Sequence, residues 1–398
     1  MKDIVIIANF CRDFSETDNG RFMYLCKELS KENKVEIITS DFSHAKKAHK
    51  EPIIHNWPFT ITFLHEPGYK KNISIQRFVS HSAWGKEVGK YLAMRKKPDV
   101  VYCAIPSLTA PYEAAKYCEK NGIKFIIDIQ DLWPEAFQMV FNVPLLSNMI
   151  FAPFKYRANQ IYKMADAICA VSEHYVDRAL SVNSKCTTGH AVFLGTSLET
   201  FGINVKTADA PIKKSENDGL WLGYCGSLAE SYDIPCVIDA LKILKDKGYN
   251  VPKFIIMGDG ERRTEFENAA ENMGVEAVFL GRLPYDQMCA QIIQCDIVVN
   301  PIVKGSVASI INKHADYASS GLSVINNQDS MEYRSLIEKY NMGLNCKNGD
   351  SVDMAEKLSM LIKDCDMRLE MGKNARRCAE EKFDRQKSYG ELIKSIIE

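Results

Sequence analysis

A strand–loop–helix–strand pattern between residues 296 and 325 most strongly limits the folds open to this chain. Residues 296–300 form an apolar run of strand length, and residues 322–325 form a second one. Between them, residues 311–318 carry apolar side chains at helical spacing, and Gly321 is suited to end that helix. The pattern predicts a parallel sheet, with the N-terminus of the helix at the carboxyl edge of the strands.

The start of this helix predicts an anion-binding site. Free N–H groups and the positive end of the helix dipole attract phosphate groups at such an edge. Lys304 and Lys313 flank this point, and Asn312 and Asp316 can bind hydroxyl groups. We therefore expect a diphosphate here, followed by the hydroxyl groups of a sugar.

Length and composition limit the class of protein. A chain of 398 residues predicts two domains of about 150–200 residues each. A net charge of −1 predicts no nucleic-acid partner. The 13 cysteines have no metal-binding spacing and indicate thiols in a reducing cytoplasm. We expect no signal peptide, and no apolar run approaches the roughly 20 residues of a membrane span.

The first half opens with a predicted βαβ unit. Strand-like runs occupy residues 4–8 and 34–39, with a helical segment before the second run. The loop between strand and helix holds Arg12, Glu16 and Gly20, which are candidate substrate contacts at the carboxyl end of the first strand. The alternative is a solvated loop. Because it lacks a G-x-G-x-x-G pattern, no dinucleotide cofactor is expected.

Two further stretches of the first half carry candidate chemistry. In residues 128–135, DIQDLWPE, a predicted strand ends near Asp131 and Glu135. Acids at that position suit general acid/base work or hydroxyl binding, whereas the alternative is that Asp131 caps the next helix. Residues 41–75 contain four histidines without a metal-binding spacing, which favours a surface loop.

Residues 144–163 mix large apolar side chains with basic ones. Such a segment can lie on an anionic membrane surface. The alternative is a core helix with a basic edge.

The second half repeats the α/β alternation after a polar, turn-rich segment at residues 203–219, which we predict to be a linker. Gly226 and Ser227 follow one predicted strand, and residues 258–260, Gly-Asp-Gly, follow the next. Glycine lets a backbone approach a phosphate closely, although turns in α/β proteins use glycine anyway. Arg282 follows a third strand-like run.

Eight segments spread over the chain carry a family resemblance: IVIIANF, DIQDLWPE, VSEHY, VFLGTSLETF, GYCGSLAESYDI, IIMGDGERR, FLGRLPYDQM and NKHADYASSGLSVI. Together they resemble glycosyltransferase family 4, the retaining sugar-nucleotide transferases of GT-B architecture. The resemblance covers nearly the whole chain. A subgroup with similar DLWPE and NK-x-x-x-Y-x-x-x-G segments builds capsule, O-antigen or other surface polysaccharides.

The resemblance implies an α/β fold with two doubly wound Rossmann-like domains facing a central cleft. It implies an acceptor-binding N-terminal domain over residues 1–202 and a nucleotide-sugar-binding domain over residues 220–375. A C-terminal helix over residues 376–398 is expected to return to the N-terminal domain.

The resemblance also assigns residues of the donor site. The diphosphate is expected to contact the Gly226-Ser227 turn and the helix start, the nucleotide base to lie along two further turns, and the ribose hydroxyls to bind Asp316. The residues concerned are Gly226, Ser227, Gly258, Asp259, Gly260, Arg282, Leu283, Ser306, Ser309, Asn312 and Asp316.

Three positions depart from the family pattern. The first glutamate of the usual Glu-seven-residues-Glu motif is Ala308 here, and the turn after Gly226 supplies no cation. The position that is often histidine is Gln130, which leaves Asp131 nearby. Lys313 is therefore the catalytic candidate that neutralises the leaving diphosphate, with Lys304 second.

The function implied is transfer of a sugar, with retention and without a metal or cofactor, from a nucleotide-diphosphate sugar to a lipid-linked glycan. The catalytic candidates are Asp131 and Lys313, and the acceptor candidates are Arg12, Glu16, Gly20 and Glu135. We expect a cytoplasmic protein held peripherally at the inner face of the cell membrane through residues 144–163. Alternatives are a non-catalytic nucleotide-sugar-binding partner subunit and a sugar-nucleotide epimerase of the same fold.

Overall fold

The computed structural model describes residues 1–11, 14, 20–51, 56–72, 74–135, 144–305 and 310–398, with only the backbone at residues 144–148. The chain divides into two compact units. Unit 1 comprises Met1–Phe193 and Ser388–Glu398, and unit 2 comprises Leu194–Lys387.

Unit 1 contains, within its described residues, a seven-stranded parallel sheet in the order β5-β2-β1-β6-β7-β8-β9. The order reverses between β1 and β6, and ligands of open α/β sheets bind at such a point. A short antiparallel ribbon of β3 and β4 stands beside it. The strands are β1 Asp3–Ile7, β2 Lys34–Ser40, β3 Phe42–Ser43, β4 Ala48–His49, β5 Thr60–Leu64, β6 Val100–Ile105, β7 Lys124–Ile129, β8 Ala167–Ala170 and β9 His190–Ala191.

The described helices of unit 1 pack apolar side chains onto this sheet. The first helix buries Phe22, Leu25, Cys26 and Leu29, which recur at helical spacing and join the core of β1 and β2. The predicted opening βαβ unit is confirmed. The helices are α1 Arg21–Leu29, α2 Ile75–Met94, α3 Thr109–Asn121, α4 Pro144–Met164 and α5 Glu173–Leu180.

Unit 2 contains, in the part of it that the structure describes, a six-stranded parallel sheet in the order β12-β11-β10-β13-β14-β15. Its strand order reverses between β10 and β13. The loops that leave these two strands at their carboxyl ends are therefore those that a ligand meets first. The strands are β10 Trp221–Cys225, β11 Lys253–Met257, β12 Ala277–Gly281, β13 Ile297–Asn300, β14 Ser323–Asn326 and β15 Gly343–Asn345.

The helix predicted from residues 311–318 begins at Asn312 and ends at Ser320, and Gly321 adopts the left-handed conformation with φ 67°. This confirms the predicted stop. The helices up to residue 363 alternate with the strands of unit 2, whereas the helical segments after residue 363 follow one another directly, and the last of them, residues 390–397, belongs to unit 1. These helices are α6 Leu198–Thr207, α7 Ile234–Asp246, α8 Arg263–Asn272, α9 Tyr285–Ile292, α10 Asn312–Ser320, α11 Met331–Tyr340, α12 Ser351–Lys363, α13 Cys365–Cys378, a π-helical turn Ala379–Phe383, α14 Arg385–Ser388 and α15 Gly390–Ile397.

The observed division differs from the predicted boundaries. The units separate between residues 193 and 194 and between 387 and 388, rather than near 202 and 376. The first part of the predicted linker is helical, because Ser197 caps the N-terminus of α6 and Leu198 and Phe201 are buried. None of the helices in the described ranges is long and apolar enough to cross a membrane.

Candidate functional site

Lys313 lies in the first turn of α10 with its side chain buried. Its Nζ atom is 4.3 Å from the ring centre of Tyr224 and 4.0 Å from that of Tyr232. Among the described residues, Nζ has no hydrogen-bond partner. Burial lowers the pKa of Lys313 to about 7. The nearby Cys225 thiol supplies no negative charge to pair with the Lys313 ammonium group, because burial raises the pKa of Cys225 to about 12.

The backbone at Gly226 approaches the same ammonium group. Gly226 has φ 150°, and a Cβ atom there would lie 2.8 Å from Nζ of Lys313. A larger residue would therefore fill the space in front of the lysine. The main chain of Gly226 therefore borders the ammonium group directly.

Gly258 and Gly260 are explained by packing of backbone against backbone. A Cβ at Gly258 would lie 1.8 Å from the carbonyl oxygen of Gly226, and one at Gly260 would lie 2.3 Å from that of Leu228. The loops after β10 and β11 are thereby held together, and the Leu228 amide donates to the Asp259 carbonyl at 3.0 Å. These glycines shape the turn that carries Gly226.

Asp316 lies one turn after Lys313 on α10 and is half-buried. The Tyr285 hydroxyl donates a hydrogen bond of 2.8 Å to its Oδ1 atom, and Tyr285 in turn lies 2.9 Å from Oγ1 of Thr196. This chain fixes the carboxylate on the same helix as the lysine. Tyr285 and Thr196 were not predicted from the sequence, because a hydroxyl at a helix start carries no periodic signal.

The other predicted donor residues are distributed around this edge. Ser227, Asp259, Arg282 and Asn312 are exposed, and Leu283 is half-buried. Lys304 is also exposed, so Lys313 is the one of the two candidate lysines that has lost its hydration. Ser306 and Ser309 lie outside the described residues.

The carboxyl edge of the unit 1 sheet carries a second polar group. Asp131 follows β7, and burial raises the pKa of its carboxyl group to about 6 despite the hydrogen bond from Trp133 Nε1 at 3.3 Å. Glu135, predicted to contact an acceptor, is held by Arg178 at 2.8 Å. Gly20 precedes α1, whereas Arg12 and Glu16 lie outside the described residues.

Arg77, which sequence analysis did not single out, occupies the centre of an aromatic cluster beside Asp131. Its guanidinium lies 4.9 Å from the ring centre of Trp133, 5.7 Å from Tyr69 and 5.8 Å from Phe10. Burial lowers the pKa of His81 to about 3, so its ring, stacked on Trp133, is neutral. Lys47 and Glu66 also border the cluster, since Nζ of Lys47 lies 4.6 Å from the Tyr69 ring centre and Glu66 lies 3.7 Å from His81. Such a cluster of rings with nearby cations and carboxylates suits a sugar or another ring-bearing acceptor.

A cavity of about 250 Å³ adjoins this cluster. Its walls come from α2, α3, α4 and the turn after β7, and they are mostly apolar. The residues that face it include Phe78, Val79, His81, Leu108, Trp133 and Phe154.

Helix α4 combines both interpretations of residues 144–163. It buries Phe151, Ala158, Ile161 and Tyr162 in the core of unit 1. It also exposes Met149 by 76%, Ile150 by 53% and Tyr156 by 67%, next to exposed Lys155, Arg157 and Lys163. The helix is therefore part of the core and presents an apolar face with a basic edge to solvent.

A comparison of sequence profiles matches residues 191–378, nearly all of unit 2, to the family described as glycosyl transferases group 1. This segment is therefore similar to the glycosyl transferases group 1 family. A search of curated proteins by sequence finds no match.

Solved structures of the same architecture match both units. HepE of Anabaena with UDP-glucose is 14% identical with a TM-score of 0.66, covering 100% of this chain and 99% of HepE. Sucrose-phosphate synthase from Thermosynechococcus elongatus is 14% identical with a TM-score of 0.71, covering 100% and 99%. WaaG, a glycosyltransferase involved in lipopolysaccharide biosynthesis, is 15% identical with a TM-score of 0.66, covering 99% of each chain. The chain has the GT-B fold, as predicted.

Proposed function

We propose that this protein is a retaining glycosyltransferase that uses a nucleotide-diphosphate sugar as donor, and that unit 2 binds this donor. The observation that carries the proposal is the buried ammonium of Lys313, which faces the Gly226 backbone at the point where the strand order of the sheet reverses. A buried ammonium group without a counter-charge is costly, and an anion bound there would pair with it. Diphosphate is the anion that a helix N-terminus and a glycine turn accommodate together.

The nucleoside is proposed to bind next to the diphosphate through Asp316. A carboxylate accepts hydrogen bonds from two neighbouring ribose hydroxyls, and Tyr285 keeps the Asp316 carboxylate in one orientation. UDP is the first nucleotide to test, because two of the similar structures are HepE complexes with UDP-glucose and with UDP.

The proposed reaction breaks the bond between the anomeric carbon and the diphosphate oxygen, which keeps the electron pair. The acceptor oxygen bonds to the anomeric carbon from the same face. Negative charge grows on the leaving diphosphate, and Lys313 with the backbone N–H groups stabilises it, so no metal is required in this proposal. In unit 1, the carboxylate of Asp131 accepts the acceptor's proton, which its raised pKa of about 6 favours near neutral pH.

The acceptor is proposed to be a lipid-linked glycan of surface polysaccharide synthesis, such as capsule or O-antigen. The aromatic cluster around Arg77 offers ring faces to a sugar, and the exposed apolar face of α4 offers a contact with the membrane surface that holds the lipid. The protein would then act peripherally at the cytoplasmic face of the membrane.

The test is a panel of nucleoside diphosphates and their sugars with the purified full-length chain. A ligand at 100 times its dissociation constant stabilises the folded state by about 2.7 kcal/mol, which a thermal shift detects. We expect one nucleotide sugar to be bound and then turned over, and the anomeric configuration of the product to match that of the donor. An inverted product would refute retention.

The same panel separates the alternatives. Binding without hydrolysis or transfer indicates a non-catalytic partner subunit. Release of an altered nucleotide sugar with no acceptor present indicates an epimerase. Absence of any nucleotide-dependent shift would overturn the proposal itself.

A further inference from the structure

We propose that Asp41, His49 and His65 of unit 1 form a binding site for a divalent transition-metal ion of the Zn²⁺ type. Each of these residues places one ligand atom within 4.8 Å of the others. They come from three separate strand ends, after β2, at the end of β4 and after β5. The spacing in sequence gives no sign of a metal site, and only the fold joins them.

The ligand atoms are already close to a coordination geometry. Nδ1 of His65 lies 2.9 Å from Oδ2 of Asp41. Two ligand atoms of a tetrahedral zinc site lie about 3.3 Å apart, because the metal–ligand bonds are about 2.0–2.2 Å long. The His49 and His65 rings stack with centres 5.2 Å apart and planes 27° apart. Both imidazoles and the carboxylate therefore lie within reach of one ion after side-chain adjustment.

The backbone of Glu66 orients two of the three ligands. Its N–H group donates to Oδ1 of Asp41 at 2.8 Å, and its carbonyl oxygen lies 3.1 Å from Nε2 of His49. Metal ligands are commonly held in this way by hydrogen bonds to neighbouring groups, which fix the carboxylate and the imidazole tautomer.

The composition of the set selects the ion. Two neutral imidazoles with one carboxylate suit Zn²⁺, Co²⁺ or Ni²⁺ and do not suit Mg²⁺ or Ca²⁺, which prefer oxygen ligands. Both histidines are exposed, so an ion reaches them from solvent, and water completes the coordination. The site is thus built for uptake of a solvent ion.

The bound ion would fasten the β3–β4 ribbon to the edge of the main sheet. The buried carboxylate of Glu66 accepts hydrogen bonds from Asn9 at 3.0 Å and Ser80 at 2.8 Å, beside the aromatic cluster. Holding residues 65 and 66 therefore stabilises that edge of unit 1. The inference does not depend on the proposed transferase reaction, since it concerns metal binding and the stability of the protein.

The experiment uses full-length protein freed of metal by chelation and titrated with Co²⁺, whose visible spectrum reports coordination by nitrogen and oxygen. We expect one Co²⁺ ion per chain with nitrogen–oxygen coordination, competition by Zn²⁺, and a rise in melting temperature with Zn²⁺. His49→Gln and His65→Gln should each weaken binding by at least about tenfold. His174→Gln, an exposed histidine elsewhere in unit 1, should bind as the wild type does.

Two results would overturn the inference. One is a wild-type titration without stoichiometric Co²⁺ binding, which requires no variant to fold. The other is a binding curve for His49→Gln or His65→Gln that coincides with that of His174→Gln. A sulfur-to-cobalt charge-transfer band that persists in the variants would count as the second result, because it places the ion on cysteine.

Discussion

Nζ of Lys313 lies 4.0 Å from the ring centre of Tyr232. The ring centre of Tyr224, a residue of β10, lies 4.3 Å from the same atom. Two aromatic faces attract the cation but give it no hydrogen bond. The ammonium group therefore keeps its hydrogen-bonding capacity for a ligand, at the start of α10.

Replacing Lys313 with methionine should lower turnover without lowering the stability of the fold. We expect nucleotide turnover to fall at least tenfold, equivalent to about 1.4 kcal/mol of transition-state stabilisation. The melting temperature should not fall, because the lost ammonium group is buried without a hydrogen-bond partner in the described residues. Steady-state kinetics and thermal unfolding measure the two effects. Lys339→Met, at an exposed lysine of α11, is the matched control. Wild-type turnover in Lys313→Met would remove Lys313 from the mechanism.

Nucleotide affinity should decrease as the pH rises above 7. The pKa of Lys313 in the ligand-free protein is lowered from 10.5 to about 7, and an anionic ligand raises it again. Binding then requires proton uptake, so the dissociation constant should rise by up to about tenfold per pH unit between about pH 7 and pH 9. Isothermal titration in buffers of different ionisation enthalpy measures this uptake. If the dissociation constant of Lys313→Met changed with pH as steeply as that of the wild type, the assignment to Lys313 would be contradicted.

Asp316→Ala should reduce affinity for UDP by at least about tenfold and leave affinity for pyrophosphate unchanged. The Asp316 carboxylate is assigned to the ribose hydroxyls, which pyrophosphate lacks. A hydrogen bond to a charged group contributes about 1.5–3 kcal/mol. Tyr285→Phe should show a smaller loss of the same selectivity, since it only orients Asp316. Competition binding of UDP against pyrophosphate measures both. Asp329→Asn, an exposed acid, serves as control. An equal loss for both ligands would place Asp316 at the diphosphate instead.

Arg21→Met should destabilise unit 1 by about 3–5 kcal/mol, because it leaves Asp128 as a buried, unpaired charge. Arg21 makes two hydrogen bonds to this carboxylate at 2.8 and 2.9 Å and contacts the Val192 carbonyl and the Tyr389 hydroxyl. Urea unfolding measures the loss. The double variant Arg21→Met/Asp128→Leu should recover much of it, and failure to do so would assign the loss to packing. Lys116→Met, in an exposed ion pair, should change stability by less than about 1 kcal/mol.

Replacing Met149 and Ile150 together with serine should weaken binding to vesicles of anionic lipid by at least about tenfold. Each apolar side chain that leaves water on binding contributes about 1.5–3 kcal/mol, and both are exposed on α4. Co-sedimentation with vesicles measures binding. Met360→Ser, at an exposed methionine of α12, controls for surface hydrophobicity. Vesicle binding equal to that of the wild type would exclude this face of α4 as the membrane contact.

Local sequence patterns account for most of the secondary structure. Apolar runs of strand length, helical spacing and stop residues such as Gly321 act between neighbours in the chain, and they predicted both parallel sheets and the start of α10. The predicted linker begins inside helix α6, because Leu198 and Phe201 are too few to distinguish a short helix from a linker.

Which side chains meet at the two sheet edges was a matter of tertiary structure. Lys313 and Asp316 were found from sequence because they lie on one helix beside a predicted strand end. Tyr285, Arg77 and the group of Asp41, His49 and His65 come from segments that only the sheet topology brings together. Sequence by itself therefore determined the α/β architecture and the helix that carries Lys313. Burial, which lowers the pKa of that lysine and leaves it between two rings, exists only in the packed fold, because desolvation depends on all surrounding atoms rather than on chain neighbours.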